Sequence, residues 1–113
     1  MPDCTIKSFQ FSPLGRKMID CNFSGGSITS DGGSLLISET DKKFNVLSSF
    51  GALLSDSRHQ SYVAHSVSEM LTQRVYGIAL GYEDVNDHDR LRGDIAFQTM
   101  IGRHVDLASS ATL

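Results

Sequence analysis

The sequence has no tryptophan, only two prolines and two cysteines among its 113 residues. No apolar run reaches the roughly eighteen residues that cross a membrane, so no membrane association is expected. The N-terminal "MPDCTIKSFQFSPLG" lacks the basic-then-apolar pattern of an export signal, which predicts a cytoplasmic location. Cys4 and Cys21 have no second pair and no nearby histidine. This argues against a zinc site or a disulfide scaffold and predicts two reduced thiols.

A strong charge of either sign is also missing. Ten Lys and Arg residues stand against thirteen Asp and Glu residues, for a net charge of −3. Without a basic block, composition alone does not drive binding to phosphates, so a nucleic-acid role would need a local patch. The length fits one domain with a modest core.

Residues 1–30 differ in pattern from the rest of the chain. "IKSFQF" and "KMIDCNFS" partly alternate apolar and polar residues around the turn signal "SPLGR", which predicts a short β-hairpin or extended arm. The glycine-rich loop "SGGSITSDGG" follows, and Ser30 or Asp31 is expected to cap the next helix. Residues 31–113 are predicted to form a small helical domain, so the expected fold class is mainly α.

Helical spacing begins after this loop. Helices are predicted over residues 33–44, in "NVLSSFGALLSD" and, most strongly, over residues 66–80. In the last of these, Ser66 and Glu69 have the spacing of a capping box. Gly81 stands where that helix should end.

Two shorter helices are expected near the C-terminal end. Asn86 or Asp87 should cap a helix that runs to Arg92. Asp94 should cap the helix "IAFQTMI", which Gly102 ends. The residues after it, "RHVDLASSATL", are expected to have little to pack against.

The predicted helix over residues 66–80 has one apolar stripe, formed by Val67, Met70, Leu71 and Ile78, with Val75 at its edge. Arg74 falls inside this stripe, so it must extend to solvent or meet a carboxylate. An ion pair is predicted with one of the acids that follow the helix: Glu83, Asp84, Asp87 or Asp89.

The stretch "LGYEDVNDHDRLR" holds four carboxylates, one histidine and two arginines. Asp84 with His88, or with Asp87, has the spacing of a metal site on one helical face. His88 and Asp89 also resemble the His-Asp pair of metal phosphohydrolases. A third hypothesis is a pair of carboxylates for acid–base catalysis.

A structural joint between two helices is the preferred interpretation of this stretch. Only one histidine is present, and the acids alternate with arginines. In this interpretation Asp87 and Asp94 cap helices and Tyr82 packs beneath the turn. The acids then form ion pairs with arginines of the same region: Arg74, Arg90 or Arg92.

Contact with nucleic acid needs no catalytic geometry. Arg90 and Arg92 lie beside predicted helix starts, whose free N–H groups can bind a phosphate, and Arg103 lies further along. These three arginines are the candidate DNA contacts, and a solvated charged face is the alternative. The glycine pairs at 25–26 and 32–33 lack the lysine and spacing of a phosphate-binding loop.

Three segments taken in order resemble a known family: "TSDGGSLLISETDKKF", "HSVSEMLTQRVYGIALGYEDVNDHDRLRGDIAFQTMIGR" and "LASSATL". They are similar to the N-terminal region of bacterial insertion-sequence transposases of the insertion-sequence-1380 type, in the DDE superfamily. The resemblance runs from Thr29 to Leu113, and "QRVYGIALGYEDVNDHDRLR" is its most specific block. It implies a helical region followed by a ribonuclease-H-like domain. There, three acidic residues hold two divalent metal ions such as Mg²⁺ for strand cleavage and transfer.

In the family pattern the first catalytic aspartate comes after the last residue of this chain. The resemblance therefore implies no catalytic residue, metal ligand or cofactor here. The expectation is a chain truncated before the catalytic domain and not itself an enzyme. Its implied role is in DNA transposition, by binding insertion-sequence ends or by assembly. DNA, a full-length transposase or a second copy are the implied partners.

A different class of function stays open. The chain could be a standalone protein-interaction module, or a regulator that damps a full-length transposase. Apolar faces on "VLSSFGALL" and "IAFQTMI" would supply its docking surface. A metal-dependent hydrolase that uses Asp84 and His88 is a further class of function that stays open.

Overall fold

The computed structural model describes residues 8–22, 25 and 28–113. Two antiparallel strands, β1 (Phe9–Leu14) and β2 (Lys17–Cys21), form a hairpin. Gly15 occupies the turn at a φ of 61°, a conformation that costs glycine little. This confirms the predicted hairpin. Cys21 is a free thiol, and the prediction for Cys4 lies outside the described residues.

Five α-helices and short 3₁₀ turns make up about half of the described residues. In order the helices are α1 (Leu35–Phe44), α2 (Val46–Ala52), α3 (Val67–Ala79), α4 (His88–Leu91) and α5 (Ile95–Ile101). Short 3₁₀ turns cover Gly32–Ser34, Gln60–Tyr62 and Val85–Asp87. The mainly α fold class is thus confirmed. Within the described residues, no helix has the length and apolar character needed to span a membrane.

The predicted ends of α3 and α5 have a local explanation. Ser66 Oγ accepts a hydrogen bond from the Glu69 backbone N–H at 3.1 Å, and the Glu69 carboxylate accepts from the Ser66 N–H at 3.0 Å. This is the predicted capping box. The Asp94 side chain accepts from two backbone N–H groups in the first turn of α5. Gly102 ends α5 in the left-handed conformation, at a φ of 80°.

Two other predicted caps are wrong. The chain enters α1 through a 3₁₀ turn, and Asp31 precedes that turn without a capping bond from its side chain. Before α4, a second 3₁₀ turn covers Val85–Asp87, so helical structure begins earlier in the sequence than predicted. The cap there is Asp84, whose side chain accepts from the Asn86 N–H at 2.9 Å, and Asp87 makes no side-chain cap bond.

The apolar core lies where α1, α3 and α5 meet the residues that follow α5. Its buried side chains are Leu35, Tyr76, Leu91, Phe97, Met100 and Leu107. Phe97 is fully buried, and Ala96 and Met100 of the same helix are nearly so. Most apolar residues of "IAFQTMI" therefore belong to the core or pack against it, which corrects their assignment to an exposed docking face.

The buried face of α3 differs from the predicted apolar stripe. Gln73, Tyr76 and Gly77 are its buried residues. Ile78, expected in the stripe, is 51% exposed, and Met70 is half-buried like the rest of the stripe. The buried residues of α3 lie on the face that meets α5 and the last residues of the chain. That face includes a glutamine and a glycine, which an apolar stripe does not predict.

The last residues of the chain are packed, contrary to expectation. Leu107 and Ala108 are buried, at 2% and 1% exposure. The Leu107 N–H donates to the Arg92 carbonyl at 3.1 Å. The N–H and hydroxyl of Ser110 both donate to the Asp89 carboxylate at 2.8 Å. Hydrogen bonds to Arg92 and Asp89 thus hold the last residues in place, which the apolar pattern did not indicate.

One carboxylate ties the first three helices together. Asp41 of α1 accepts the Tyr76 hydroxyl of α3 at 3.0 Å and the Leu47 N–H of α2 at 2.9 Å. Burial, followed by the hydrogen bond to Asp41, raises the pKa of Tyr76 to about 12. The phenol therefore stays neutral well above its ordinary range.

Candidate functional site

Three carboxylates of residues 80–94 hold local structure. Asp84 caps the 3₁₀ turn before α4, and Asp94 caps α5 while also accepting the Thr29 hydroxyl at 3.1 Å. Asp89 binds Ser110, and hydrogen bonds from the Ser110 N–H and then its hydroxyl lower the pKa of the Asp89 carboxyl. The helix-joint interpretation of this stretch fits these partners.

Arg74 has partners other than the predicted carboxylates. Its guanidinium donates to the Tyr82 carbonyl at 3.3 Å and to the Glu83 carbonyl. These carbonyls come just after α3, where backbone oxygens have no partner inside the helix. Backbone oxygens therefore replace Asp84 and Asp87 in the expected ion pair.

His88 lies inside the protein. It is fully buried, and its Nδ1 is 3.1 Å from Gln73 Nε2. Burial, followed by the positive charge of Arg74, lowers the pKa of His88. Asp84 is exposed and bound to the Asn86 N–H, so the two proposed metal ligands have separate surroundings.

Arg90 lines a surface cavity of about 330 Å³ that also contains two carboxylates. The cavity is lined by Ser30, Asp31, Tyr82, Arg90, Leu91 and Asp94. The Tyr82 hydroxyl donates to Asp31 at 2.8 Å, and this hydrogen bond raises the pKa of Tyr82. Arg90 thus lies among acidic neighbours.

The other two candidate arginines, Arg92 and Arg103, both exert a positive charge on His65. Burial lowers the pKa of His65, and the positive charge of Arg103 lowers it further, as do Arg92 and Arg58. The negative charge of Glu69 raises the pKa of His65. We refer to Arg58, Arg92 and Arg103 as the arginine cluster. Arg58 was missed in the sequence because its segment, "SDSRHQSYVAH", has no helical periodicity.

Arg58 and Arg103 hold the backbone just before α3. Arg58 donates to the His65 carbonyl at 3.0 Å, and Arg103 donates to the Ala64 carbonyl at 2.9 Å. Arg58 also forms a two-pronged ion pair with Asp56, at 2.8 and 2.7 Å. The hydrogen bond from Arg58 lowers the pKa of Asp56 to about 2.

Each guanidinium of the cluster keeps donors beyond those in its ion pair. Arg92 pairs with Asp106 at 3.0 Å, and Arg103 pairs with Glu69 at 3.4 Å. The Arg58 and Arg92 side chains are 41% and 39% exposed. Since a guanidinium has five N–H donors and exposed ion pairs are weak, a further anion can bind at this surface.

Residues 11–113 match the family model described as transposase DDE domain, group 1. The match covers most of the chain, so the chain belongs to this family of DNA-cleaving enzymes. Neither a search of curated proteins nor a search of solved structures found a match. The expectation that the chain is not an enzyme is therefore wrong, because the matching model describes a transposase DDE domain.

The family resemblance implies divalent metal ions held by three acidic residues. Within residues 8–22, 25 and 28–113, no group of three or more His, Cys, Asp or Glu is placed to hold a metal ion. Asp84, Asp89 and Asp94 bind backbone or hydroxyl groups instead.

Proposed function

We propose that this chain acts in DNA transposition by binding the ends of an insertion sequence through the arginine cluster. The relevant elements are of the insertion-sequence-1380 type, and the location is cytoplasmic. The observation behind the proposal is that Arg58 and Arg103 donate to the neighbouring His65 and Ala64 carbonyls just before α3, in a chain that belongs to a transposase family.

Phosphate is the chemical group that suits this surface. A guanidinium can donate two parallel N–H bonds to a phosphate and stays charged at any physiological pH. The cluster also borders the start of α3, where the helix dipole favours an anion. Contacts of this kind fix the position of a protein on DNA without reading its sequence.

The ion pair between Arg92 and Asp106 gives the sharpest test. The Asp106 side chain is 63% exposed and competes with DNA for the Arg92 guanidinium. Asp106→Asn should tighten binding to a duplex that carries the terminal inverted repeat, whereas Arg92→Gln should weaken it. Fluorescence anisotropy at fixed salt measures both changes.

Lys42→Gln is the matched control for Arg92→Gln. Lys42 is also an exposed cation paired with a carboxylate, Glu39, at 3.6 Å, but it lies on α1. Its removal should leave affinity nearly unchanged. Equal losses in Lys42→Gln and Arg92→Gln would reduce the proposal to a net-charge effect. Arg90→Gln tests the remaining candidate from the sequence. A larger loss of affinity in this variant would place the DNA contact at Arg90 and not at the arginine cluster.

A second candidate function is association with a protein, either a second copy or a full-length transposase. Exposed apolar side chains on and beside α2 favour it: Phe44, Val46, Phe50 and Leu53 are 67%, 53%, 61% and 81% exposed. Sedimentation with and without DNA separates the two candidates. A DNA-independent dimer that Phe50→Ser dissociates supports association, and a monomer at all concentrations opposes self-association.

A further inference from the structure

The Gln73 side chain joins α3 to the last residues of the chain. Gln73 is 2% exposed. Its Oε1 accepts from the Ala108 N–H at 3.1 Å, and its Nε2 donates to the Ala108 carbonyl at 2.8 Å. Because Ala108 presents one donor and one acceptor, this pairing fixes which way the amide points.

The amide orientation also fixes the state of His88. Gln73 Nε2 can only donate, so His88 Nδ1 must accept its second hydrogen, at 3.1 Å. The imidazole is therefore neutral and carries its hydrogen on Nε2. That atom has no hydrogen-bond partner among the described residues.

The His88 ring has little space in which to turn. A Cβ placed on Gly77 would lie 2.8 Å from Cε1 and 2.9 Å from Nε2 of the imidazole, so the ring lies directly on the α3 backbone. The Phe97 ring meets His88 edge-on, with ring centres 6.4 Å apart. His88 is fully buried between these neighbours.

Protonation of His88 is incompatible with this arrangement. A hydrogen on Nδ1 would face the N–H group of Gln73, and two donors cannot pair. If the amide turned to present its oxygen to His88, both hydrogen bonds to Ala108 would be lost.

The charges around His88 act in both directions. Burial and then Arg74 lower its pKa, whereas Asp87 and Asp89 raise it. Phe97 and Ala108, which face this group from α5 and the last residues, carry no side-chain charge.

We propose that His88 and Gln73 form a pH-sensitive latch, which holds Ala108 on α3 while His88 is neutral and releases it when His88 is protonated. The sign follows from linkage. A histidine whose pKa is lowered by folding makes the closed state fully stable above about pH 6.5, the unperturbed value, and less stable as pH falls below it. Release exposes Leu107 and Ala108, which the closed latch buries.

Amide hydrogen exchange of the wild-type chain tests the latch, with NMR detection between pH 7.5 and pH 5. After correction for intrinsic exchange, protection of the Ala108 N–H should fall below pH 6.5, by up to about tenfold per pH unit for one coupled proton. The Gln98 N–H, bound to the Asp94 carbonyl inside α5, should keep its protection. Equal loss at both amides, or no pH dependence at Ala108, would overturn the proposal.

Two variants test whether His88 is the group whose protonation opens the latch. In His88→Asn the side-chain oxygen can replace Nδ1 as acceptor but does not titrate, so Ala108 protection should become independent of pH in this range. His65→Asn is the matched control, because the pKa of His65 is also lowered, and it should keep the wild-type profile. Retained pH dependence in His88→Asn would overturn the latch.

The ring nitrogens of the wild-type chain give a test that needs no variant. Nitrogen-15 shifts at pH 7 should show a neutral His88 with hydrogen on Nε2. A charged ring, or hydrogen on Nδ1, would contradict the latch even if His88→Asn fails to fold.

Discussion

Replacement of Gln73 by leucine should be among the most destabilising single changes in this protein. The side chain makes three hydrogen bonds to groups that are themselves buried: the N–H and carbonyl of Ala108 and Nδ1 of His88. Leucine has similar volume but cannot pair with any of them. The substitution therefore leaves three polar groups without hydrogen-bond partners in a place that water does not reach.

The expected size of this effect follows from the number of orphaned groups. Each buried donor or acceptor left without a partner costs about 1–3 kcal/mol. Movement of the last residues would let water reach Ala108, so we expect Gln73→Leu to lower the free energy of unfolding by about 3–4 kcal/mol. This is a large part of the roughly 5–15 kcal/mol that stabilises an ordinary domain.

Urea denaturation followed by circular dichroism measures the change. The midpoint should fall while the slope with denaturant stays close to that of the wild type. Gln60→Leu is the control, because Gln60 is exposed and its amide donates to the exposed Arg58 carbonyl rather than to buried groups. It should change stability by less than about 0.5 kcal/mol. A loss below about 1 kcal/mol in Gln73→Leu would refute the assigned role of Gln73.

Three further changes test other contacts. Gly77→Ala should cost about 1–3 kcal/mol by pressing a methyl group against His88, despite the better helix propensity of alanine. A stabilised variant would contradict that contact, and Gly93→Ala, with open space around it, should be near neutral. Ser66→Ala should cost about 0.5–2 kcal/mol in thermal unfolding through loss of the capping box, and an unchanged midpoint would contradict that role. Because the pKa of Tyr76 is raised to about 12, the wild type should lose stability as pH rises above about 10, where the unfolded chain ionises first. Tyr76→Phe should flatten this part of the pH profile, and an equal alkaline decline in both proteins would refute the burial argument.

Local signals in the sequence were sufficient for the hairpin turn and for the ends of α3 and α5. The spacing of Ser66 and Glu69, and of Asp94 and Gly102, fixes helix ends through hydrogen bonds and backbone angles within a few residues. The turn at Gly15 is similarly local. Such features depend on neighbouring residues and can therefore be predicted from one sequence.

Burial on α3 could not be predicted in the same way. Gln73 and Gly77 are buried because Ala108 and His88 approach them from distant parts of the chain. An apolar stripe does not predict a buried glutamine whose amide forms hydrogen bonds with backbone groups. Nor does it predict a glycine whose missing side chain leaves space for the His88 ring. The packing of Leu107 was missed for the same reason.

The candidate site was only partly predictable. Arg92 was identified from its place beside a predicted helix start and Arg103 from its position further along the chain. The proximity of Arg103 to Arg58 depends on how the segment before α3 lies on the chain after α5. Arg90 is only two residues from Arg92, yet it lines a cavity with Asp31 and Asp94. Closeness in the sequence therefore does not predict which arginines belong to the arginine cluster.

The dependence of DNA affinity on salt is the most direct measure of the proposed interface. If each arginine of the cluster binds one phosphate, a plot of log affinity against log salt should have a slope of about −2.7 for the wild type. For Arg58→Gln/Arg92→Gln it should be about −0.9, since one phosphate contact remains. Equal slopes in two proteins with the same circular dichroism spectrum would contradict DNA contact through the arginine cluster.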